Sequence, residues 1–128
     1  MKILLADDQS RVRFALRILL EQQSGWKVVG EATDARELIA QAVHHQPDLV
    51  LLDGDLPGLD RNDWLPALRK IIPGICIIAL SEEQPIDEYD PAASADAFAS
   101  KANPPEYLLA VIRSCMERRR KDNGRHRS

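Results

Sequence analysis

Three short apolar runs, each followed directly by polar residues, constrain the fold of this chain more than any other feature of its sequence. They occupy residues 3–6, 49–52 and 75–80. Continuous apolar runs of this length are typical of strands that are buried on both faces of a parallel sheet. Two weaker candidates, residues 26–30 and 95–99, bring the number of predicted strands to five.

Segments with the apolar spacing of amphipathic helices lie between the predicted strands. Their apolar positions include Val12, Ala15, Leu16, Leu19, Leu38, Ile39, Ala42, Val43, Leu108, Val111 and Ile112. Alternating strands and helices predict a doubly wound α/β domain, in which helices flank a parallel sheet. Asp34, with Glu37 three residues later, resembles a capping box and predicts a helix start. Residues 82–91 carry two prolines and five acidic residues, so we expect a short or irregular fourth helix there.

The size and composition suit a single compact domain. The chain has 128 residues, of which 45% are hydrophobic, enough for one core. Its apolar runs are far shorter than the roughly 20 residues that span a bilayer. Its first residues lack the long apolar core of a signal peptide, and we expect a cytoplasmic protein without membrane contact. Cys76 and Cys115 each lie inside an apolar pattern, and we expect two buried, reduced thiols rather than a disulfide or a metal site.

The end of the chain is basic. Residues 118–121 are all arginine or lysine, and two more arginines follow. The stretch has no interleaved aromatic residues and no recognisable DNA-binding motif. We interpret it as a solvated helix end and flexible tail, and direct nucleic-acid binding is not expected. The domain is accordingly placed at residues 1–118 and the tail at residues 119–128.

The residues that follow the predicted strands share a chemistry. After the first, third, fourth and fifth strands come, in turn, Asp7 with Asp8, then Asp53, Ser81 and Lys101. Ligands of an open parallel sheet bind outside the carboxyl ends of its strands. We therefore expect three carboxylates, a hydroxyl and an ammonium to meet at one edge of the sheet.

This set of groups indicates phosphoryl chemistry. Clustered carboxylates repel one another unless a cation compensates their charge, and hard oxygen ligands suit Mg²⁺. A carboxylate can also act as a covalent nucleophile, and Asp53, at the end of the central strand, is best placed to do so. Lys101 could then bind a phosphoryl oxygen by its charge, and Ser81 by a hydrogen bond.

These residues resemble the signature set of the response-regulator receiver family, and the resemblance covers almost the whole chain. It implies a flavodoxin-like sheet of strand order 2-1-3-4-5. It also implies that Asp53 accepts a phosphoryl group from a histidine kinase or a phosphotransfer protein. The implied cofactor is Mg²⁺ or Mn²⁺, held by Asp7, Asp8, Asp53 and the backbone carbonyl of Asp55. Such a receiver is a signalling domain rather than an enzyme, and assists only its own phosphotransfer and dephosphorylation.

The same resemblance assigns a switching role. Phe98, three positions before Lys101, matches an aromatic residue that moves inward when the hydroxyl residue, here Ser81, closes on the phosphoryl group. The fourth helix and fifth strand would form the face that changes, and a downstream protein or a second copy of the chain would read it. The pattern of residues 103–109 looks like receivers of NarL/FixJ-type regulators, which carry helix-turn-helix output domains.

Two other hypotheses stay open. Glu82, beside the hydroxyl residue, and the unusual fourth helix favour a pseudo-receiver, an interaction module that signals without phosphate. The apolar run that leads into Asp53 and Asp55 also resembles the first motif of haloacid-dehalogenase-type phosphatases, in which the first aspartate is the nucleophile and the second an acid/base. In that enzyme Asp7 and Asp8 would have no role.

Overall fold

The computed structural model describes residues 1–58, 64–81 and 95–126, with side chains as far as residue 120. Within these ranges the sheet has five strands: β1 (Lys2–Ala6), β2 (Lys27–Ala32), β3 (Leu49–Asp53), β4 (Cys76–Ser81) and β5 (Ala97–Ser100). Every pair is parallel, and the strand order is β2-β1-β3-β4-β5. Both the predicted parallel sheet and the strand order that the resemblance implied are confirmed.

Four helices lie within the described ranges: α1 (Ser10–Glu21), α2 (Ala35–His45), α3 (Trp64–Ile71) and α4 (Pro105–His126). The predicted cap of α2 is confirmed, because the Asp34 carboxylate accepts a hydrogen bond of 2.7 Å from the Glu37 N–H. Helix α4 continues past residue 118, and the domain boundary placed there stays a prediction. The predicted irregular helix at residues 82–91, which includes Glu82, lies outside the described residues. None of the described helices has the length and apolar character needed to cross a bilayer.

A hydrophobic cluster covers each face of the sheet, because successive residues of a strand point to opposite sides. On one face Leu4, Val50 and Ile77 pack with residues of α2 and α3. On the other face Leu5 and Ile78 pack with residues of α1 and α4. Each such buried side chain contributes about 1.5–3 kcal/mol through the hydrophobic effect. The two clusters hold the strands in register. The residues that follow the carboxyl end of each strand therefore have fixed starting positions.

Cys76 and Cys115 form a disulfide, so the expectation of two separate reduced thiols is wrong. Cys76, the first residue of β4, belongs to the same core cluster as Ile78, and this cluster also contains the apolar face of α4. Cys115 of α4 therefore meets Cys76, with Cα atoms 6.9 Å apart, a span that a disulfide can bridge. The expected burial of both cysteines is confirmed.

Candidate functional site

Three carboxylates meet at the carboxyl-end edge of the sheet. Asp7 and Asp8 directly follow β1, and Asp53 is the last residue of β3, the neighbouring strand. Each offers one carboxylate oxygen to a group in which all such oxygens lie within 4.8 Å of one another. Asp7 and Asp53 are buried, whereas Asp8 is exposed. The parallel pairing of β1 with β3 brings together residues that are more than forty positions apart in the sequence.

Asp7 is held in place through its backbone and its side chain. Its N–H donates to the carbonyl of Ala32, 3.0 Å away, which extends the pairing of β1 with β2 by one residue. Its Oδ1 accepts a 2.9 Å hydrogen bond from the Gln9 N–H, and the residue is only 2% exposed. Because Oδ1 is occupied by the backbone, Oδ2 is the oxygen that faces the other site residues.

Asp53 is ordered by similar contacts at the end of β3. Its Oδ1 accepts a hydrogen bond of 3.0 Å from the Asp55 N–H, and the N–H of Gly54 donates to the carbonyl of Leu80 on β4. Burial is the main cause that raises the pKa of Asp53 above its ordinary value, and the charges of Asp7 and Asp55 act in the same direction. The Asp55 N–H and the Lys101 ammonium oppose this rise without cancelling it.

The Lys101 ammonium lies between two of the carboxylates. It is 2.8 Å from Asp7 Oδ2 and 3.5 Å from Asp53 Oδ2, and its side chain is only 15% exposed. Burial alone would lower the pKa of Lys101, but the hydrogen bond to Asp7 and the charges of Asp53 and Asp7 outweigh it, and the pKa is raised. The predicted meeting of this lysine with the carboxylates is therefore present in the structure.

Ser81 and Phe98 are placed by the pairing of β4 with β5. Ser81 is the last residue of β4, and its carbonyl accepts a 2.7 Å hydrogen bond from the Lys101 N–H. Phe98 pairs in register with Ala79 and is 38% exposed, on the outer side of β5. Asp55 has an exposed side chain and touches the site through its N–H. The roles of the Ser81 hydroxyl, the Phe98 ring and the Asp55 carbonyl stay predictions.

Arg13, on the first turns of α1, supports the site, and sequence reasoning missed it. Its guanidinium donates a 2.8 Å hydrogen bond to the carbonyl oxygen of Asp7 and another of 2.9 Å to the carboxylate of Glu31 on β2. Arg17 binds the second oxygen of the same carboxylate at 2.6 Å. The arginine thus ties the acidic loop to the neighbouring strand. The sequence shows that Arg13 lies about one helical turn into α1. It does not show the groups that accept its hydrogen bonds, because these lie outside α1.

The donor set fits a hard divalent cation. When the four groups are ionised, three carboxylates and one ammonium leave two negative charges uncompensated. The charges of Asp7 and Asp55 add to the effect of burial in raising the pKa of Asp53. Carboxylate oxygens are the ligands that Mg²⁺ takes, usually one or two of them together with water and phosphate oxygens. The exposed Asp8 borders solvent and leaves the cluster open on one side.

Comparisons with known proteins agree with this arrangement. A family model described as the response regulator receiver domain matches residues 3–113. The response regulator UvrY of Escherichia coli strain K12 is 32% identical over 117 residues, which cover 88% of this chain and 52% of UvrY. The chain spans about half the length of the curated relatives it matches.

Solved structures share the fold. A two-component response regulator of the LuxR family from Aurantimonas sp. SI85-9A1 superposes with a TM-score of 0.78 at 29% identity, over 88% of this chain and 82% of that one. A CheY-like receiver domain protein from Methanospirillum hungatei JF-1 gives a TM-score of 0.80 at 26% identity, over 94% of this chain and 97% of the other. Both likenesses extend over most of the molecule.

Proposed function

Because this chain belongs to the response regulator receiver family of two-component systems, we propose that Asp53 accepts a phosphoryl group and that the chain transmits the signal by a change of shape. The observation that supports this proposal is the meeting of Asp7, Asp8 and Asp53 beside the Lys101 ammonium. A buried carboxylate at the end of a central strand, close to an ammonium and to further carboxylates, is suited to nucleophilic attack on phosphorus.

In the transfer step, an oxygen of Asp53 attacks the phosphorus atom of the donor, and the bond from phosphorus to the leaving group breaks. The leaving group, which is the imidazole of a phosphohistidine or the carboxylate of acetyl phosphate, takes the electron pair. Oδ1 of Asp53 is bound by the Asp55 N–H, whereas Oδ2 lies 3.5 Å from the Lys101 ammonium. Attack by Oδ2 therefore places the new phosphoryl group beside a positive charge.

Lys101 changes its partners in this proposal. Its ammonium now donates to Asp7 Oδ2, the closer of its two carboxylates. The aspartyl phosphate carries close to two negative charges where the carboxylate carried one, and it offers three strong acceptor oxygens. An ammonium has three N–H donors, so Lys101 can bind a phosphoryl oxygen and draw the end of β5 toward Asp53.

The carboxylates of Asp7, Asp8 and Asp53, with the backbone carbonyl of Asp55, would hold a divalent cation, Mg²⁺ or Mn²⁺. When bound, the cation neutralises the negative charge that develops on the transferring phosphoryl oxygens. The chain itself contributes the preformed cluster, in which the carboxylate oxygens already lie within 4.8 Å of one another.

The change of shape that follows phosphorylation would be transmitted through the pairing of β4 with β5. The Ser81 hydroxyl would bind a second phosphoryl oxygen, and Phe98, exposed on β5, would turn inward to fill the space this leaves. A histidine kinase or a phosphotransfer protein in the cytoplasm would donate the phosphoryl group, and a downstream protein or a second copy of the chain would recognise the altered face. A change of this kind needs a second conformation within a few kcal/mol of the first.

The direct test is phosphate uptake by the purified chain. Incubation with Mg²⁺ and acetyl phosphate, followed by intact mass measurement, is expected to show one added phosphate per chain. Asp53→Asn should abolish the adduct. Asp48→Asn, which removes a carboxylate from the opposite end of β3, is the matched control and should retain it. No adduct on the unaltered chain, either with acetyl phosphate or with a competent kinase, would favour the pseudo-receiver.

Asp55→Asn separates the receiver from the phosphatase hypothesis. The substitution removes the side-chain carboxylate but keeps the backbone N–H that binds Asp53. In a receiver the adduct should still form, because only the main chain of residue 55 takes part. A phosphatase would instead turn over phosphomonoesters rapidly and lose that turnover in Asp55→Asn. The family assignment favours the receiver.

A further inference from the structure

The Cys76–Cys115 disulfide lies at the opposite end of β4 from Ser81 and takes no part in the phosphoryl site. It joins the first residue of a central strand to the middle of α4, across 39 residues of sequence. Disulfides in cytoplasmic proteins are usually transient, and they serve catalysis or redox sensing. The proposed function requires the receiver to work in the cytoplasm. We therefore expect the structure to offer a reductant access to this disulfide.

A cavity of about 190 Å³ provides such a route. Both cysteines line it, together with Ile75, Asp96, Arg118 and Arg119. The disulfide thus forms part of the cavity wall, although each cysteine is otherwise buried. Thiol–disulfide exchange needs this access, since the attacking thiolate must reach one of the two sulfur atoms directly.

The charged residues that line the cavity favour an anionic ligand. Arg118 and Arg119 stand three and four positions after Cys115, which places them on the same side of the helix as that cysteine. Arg118 is exposed, whereas Arg119 donates to the carbonyl of Asp48 at 3.1 Å. The acidic member of the lining, Asp96, is paired with Arg69 at 3.2 Å and accepts the Ile77 N–H at 2.8 Å.

We propose that Cys76 and Cys115 are a reversible thiol–disulfide pair and that the cavity beside them admits an anionic thiol of the glutathione class. The thiolate attacks the sulfur of Cys115, the bond between the two cysteines breaks, and Cys76 leaves as a thiolate that takes up a proton. A second thiolate then attacks the mixed disulfide, releasing Cys115 and the oxidised thiol. Two electrons pass from the two small thiols to the protein disulfide.

Cys115 is the expected site of the mixed disulfide because of where the two residues sit. The backbone of Cys76 is bound within the sheet, where its N–H donates to the carbonyl of Asp48 and it pairs in register with Leu49. Cys115 lies on a helix beside the arginines that would bind the carboxylates of the incoming thiol. Reduction removes the covalent tie of α4 to the sheet near the middle of the helix, so the turns after Cys115 should exchange amide hydrogens faster.

The experiment measures the redox state and the rate of exchange on the full chain. Intact mass after alkylation in denaturant, which exposes both buried cysteines, should show no modified cysteine in the oxidised protein and two when the folded protein has first been incubated with reduced glutathione. Arg118→Gln should slow reduction by glutathione roughly threefold or more, because one attractive charge is lost, and should slow reduction by 2-mercaptoethanol, whose thiolate has no carboxylates, by a clearly smaller factor. Arg120→Gln makes the same change on the same helix outside this cavity, and should match the unaltered chain with both thiols.

Three results would overturn the proposal in different ways. If both cysteines are alkylated without a reductant, even after incubation with oxidised glutathione, the disulfide does not form. If glutathione never reduces the folded protein, the bond is permanent. If Arg118→Gln and Arg120→Gln behave alike, the cavity does not recognise the charge of the thiol. The proposed phosphorylation of Asp53 is unaffected by any of these results, so the two proposals can fail separately.

Discussion

Replacing Lys101 with methionine tests the charge balance of the site, because the substitution keeps the apolar stem and removes the ammonium. The ammonium lies 2.8 Å from Asp7 and 3.5 Å from Asp53. At an effective dielectric constant of about 20, these contacts have gross Coulomb energies of about 6 and about 5 kcal/mol. Desolvation of the buried groups offsets most of that attraction, and breaking a buried ion pair typically costs about 3–5 kcal/mol. We expect Lys101→Met to lower the free energy of unfolding by about 3 kcal/mol in the absence of metal.

A divalent cation should reverse most of this loss, because it supplies the positive charge that the variant lacks. If Mg²⁺ reduces the difference to about 1 kcal/mol, linkage requires the variant to bind Mg²⁺ about thirtyfold more tightly than the unaltered chain. The raised pKa of Lys101 keeps the ammonium charged through neutral pH, and its stabilising effect is lost as pH rises through that pKa in alkaline solution.

Urea unfolding followed by tryptophan fluorescence measures the loss of stability when EDTA is present, and the part of that loss that the cation restores when Mg²⁺ is saturating. Lys70→Met, which removes an exposed lysine of α3, is the control and should change stability by no more than about 0.5 kcal/mol. A loss below about 1 kcal/mol for Lys101→Met in EDTA, on the scale of an exposed ion pair, would refute the reasoning. An equal gain in stability from Mg²⁺ in Lys101→Met and in the unaltered chain would also refute it.

Three further predictions concern the rest of the molecule. Reduction of the Cys76–Cys115 disulfide, which spans 39 residues, should lower the free energy of unfolding by about 4 kcal/mol, as measured by urea titration with and without a reductant. Asp53→Asn should stabilise the metal-free protein near neutral pH, because burial raises the pKa of Asp53 and its ionised form therefore opposes folding there; the gain should vanish in acid, below the pKa values of both the folded and the unfolded states. Arg13→Leu should weaken Mg²⁺ binding in calorimetry by roughly threefold to tenfold, because the loop at Asp7 loses its tie to β2.

The strands could be predicted from the sequence because they are buried on both faces. The apolar run at residues 49–52 predicts a strand, and the structure has Leu49–Asp53. The edge strands β2 and β5 carry fewer buried residues, and their ends differ from the prediction by one or two positions. The rule that ligands bind at the carboxyl ends of parallel strands was sufficient to bring Asp53 together with Lys101.

Contacts between distant elements could not be predicted in the same way. Nothing in the spacing of Cys76 and Cys115 shows that α4 crosses the beginning of β4. The expectation of reduced thiols rested on the apolar pattern around each cysteine and on the cytoplasmic compartment rather than on geometry. Arg13 looks like any polar residue of an amphipathic helix until Glu31 and the Asp7 carbonyl are seen beside it. The closer approach of Lys101 to Asp7 than to Asp53 likewise depends on side-chain positions.

The central claim is that the carboxylate of Asp53, among the clustered aspartates, takes the phosphoryl group. Borohydride reduces an acyl phosphate to an alcohol, so trapping after acetyl phosphate treatment converts the modified aspartate to homoserine, which peptide sequencing by tandem mass spectrometry can locate. The account predicts homoserine at position 53 and nowhere else, and only when Mg²⁺ or Mn²⁺ was present. Homoserine at position 7, 8 or 55, or at position 53 with EDTA in place of the metal, would contradict it.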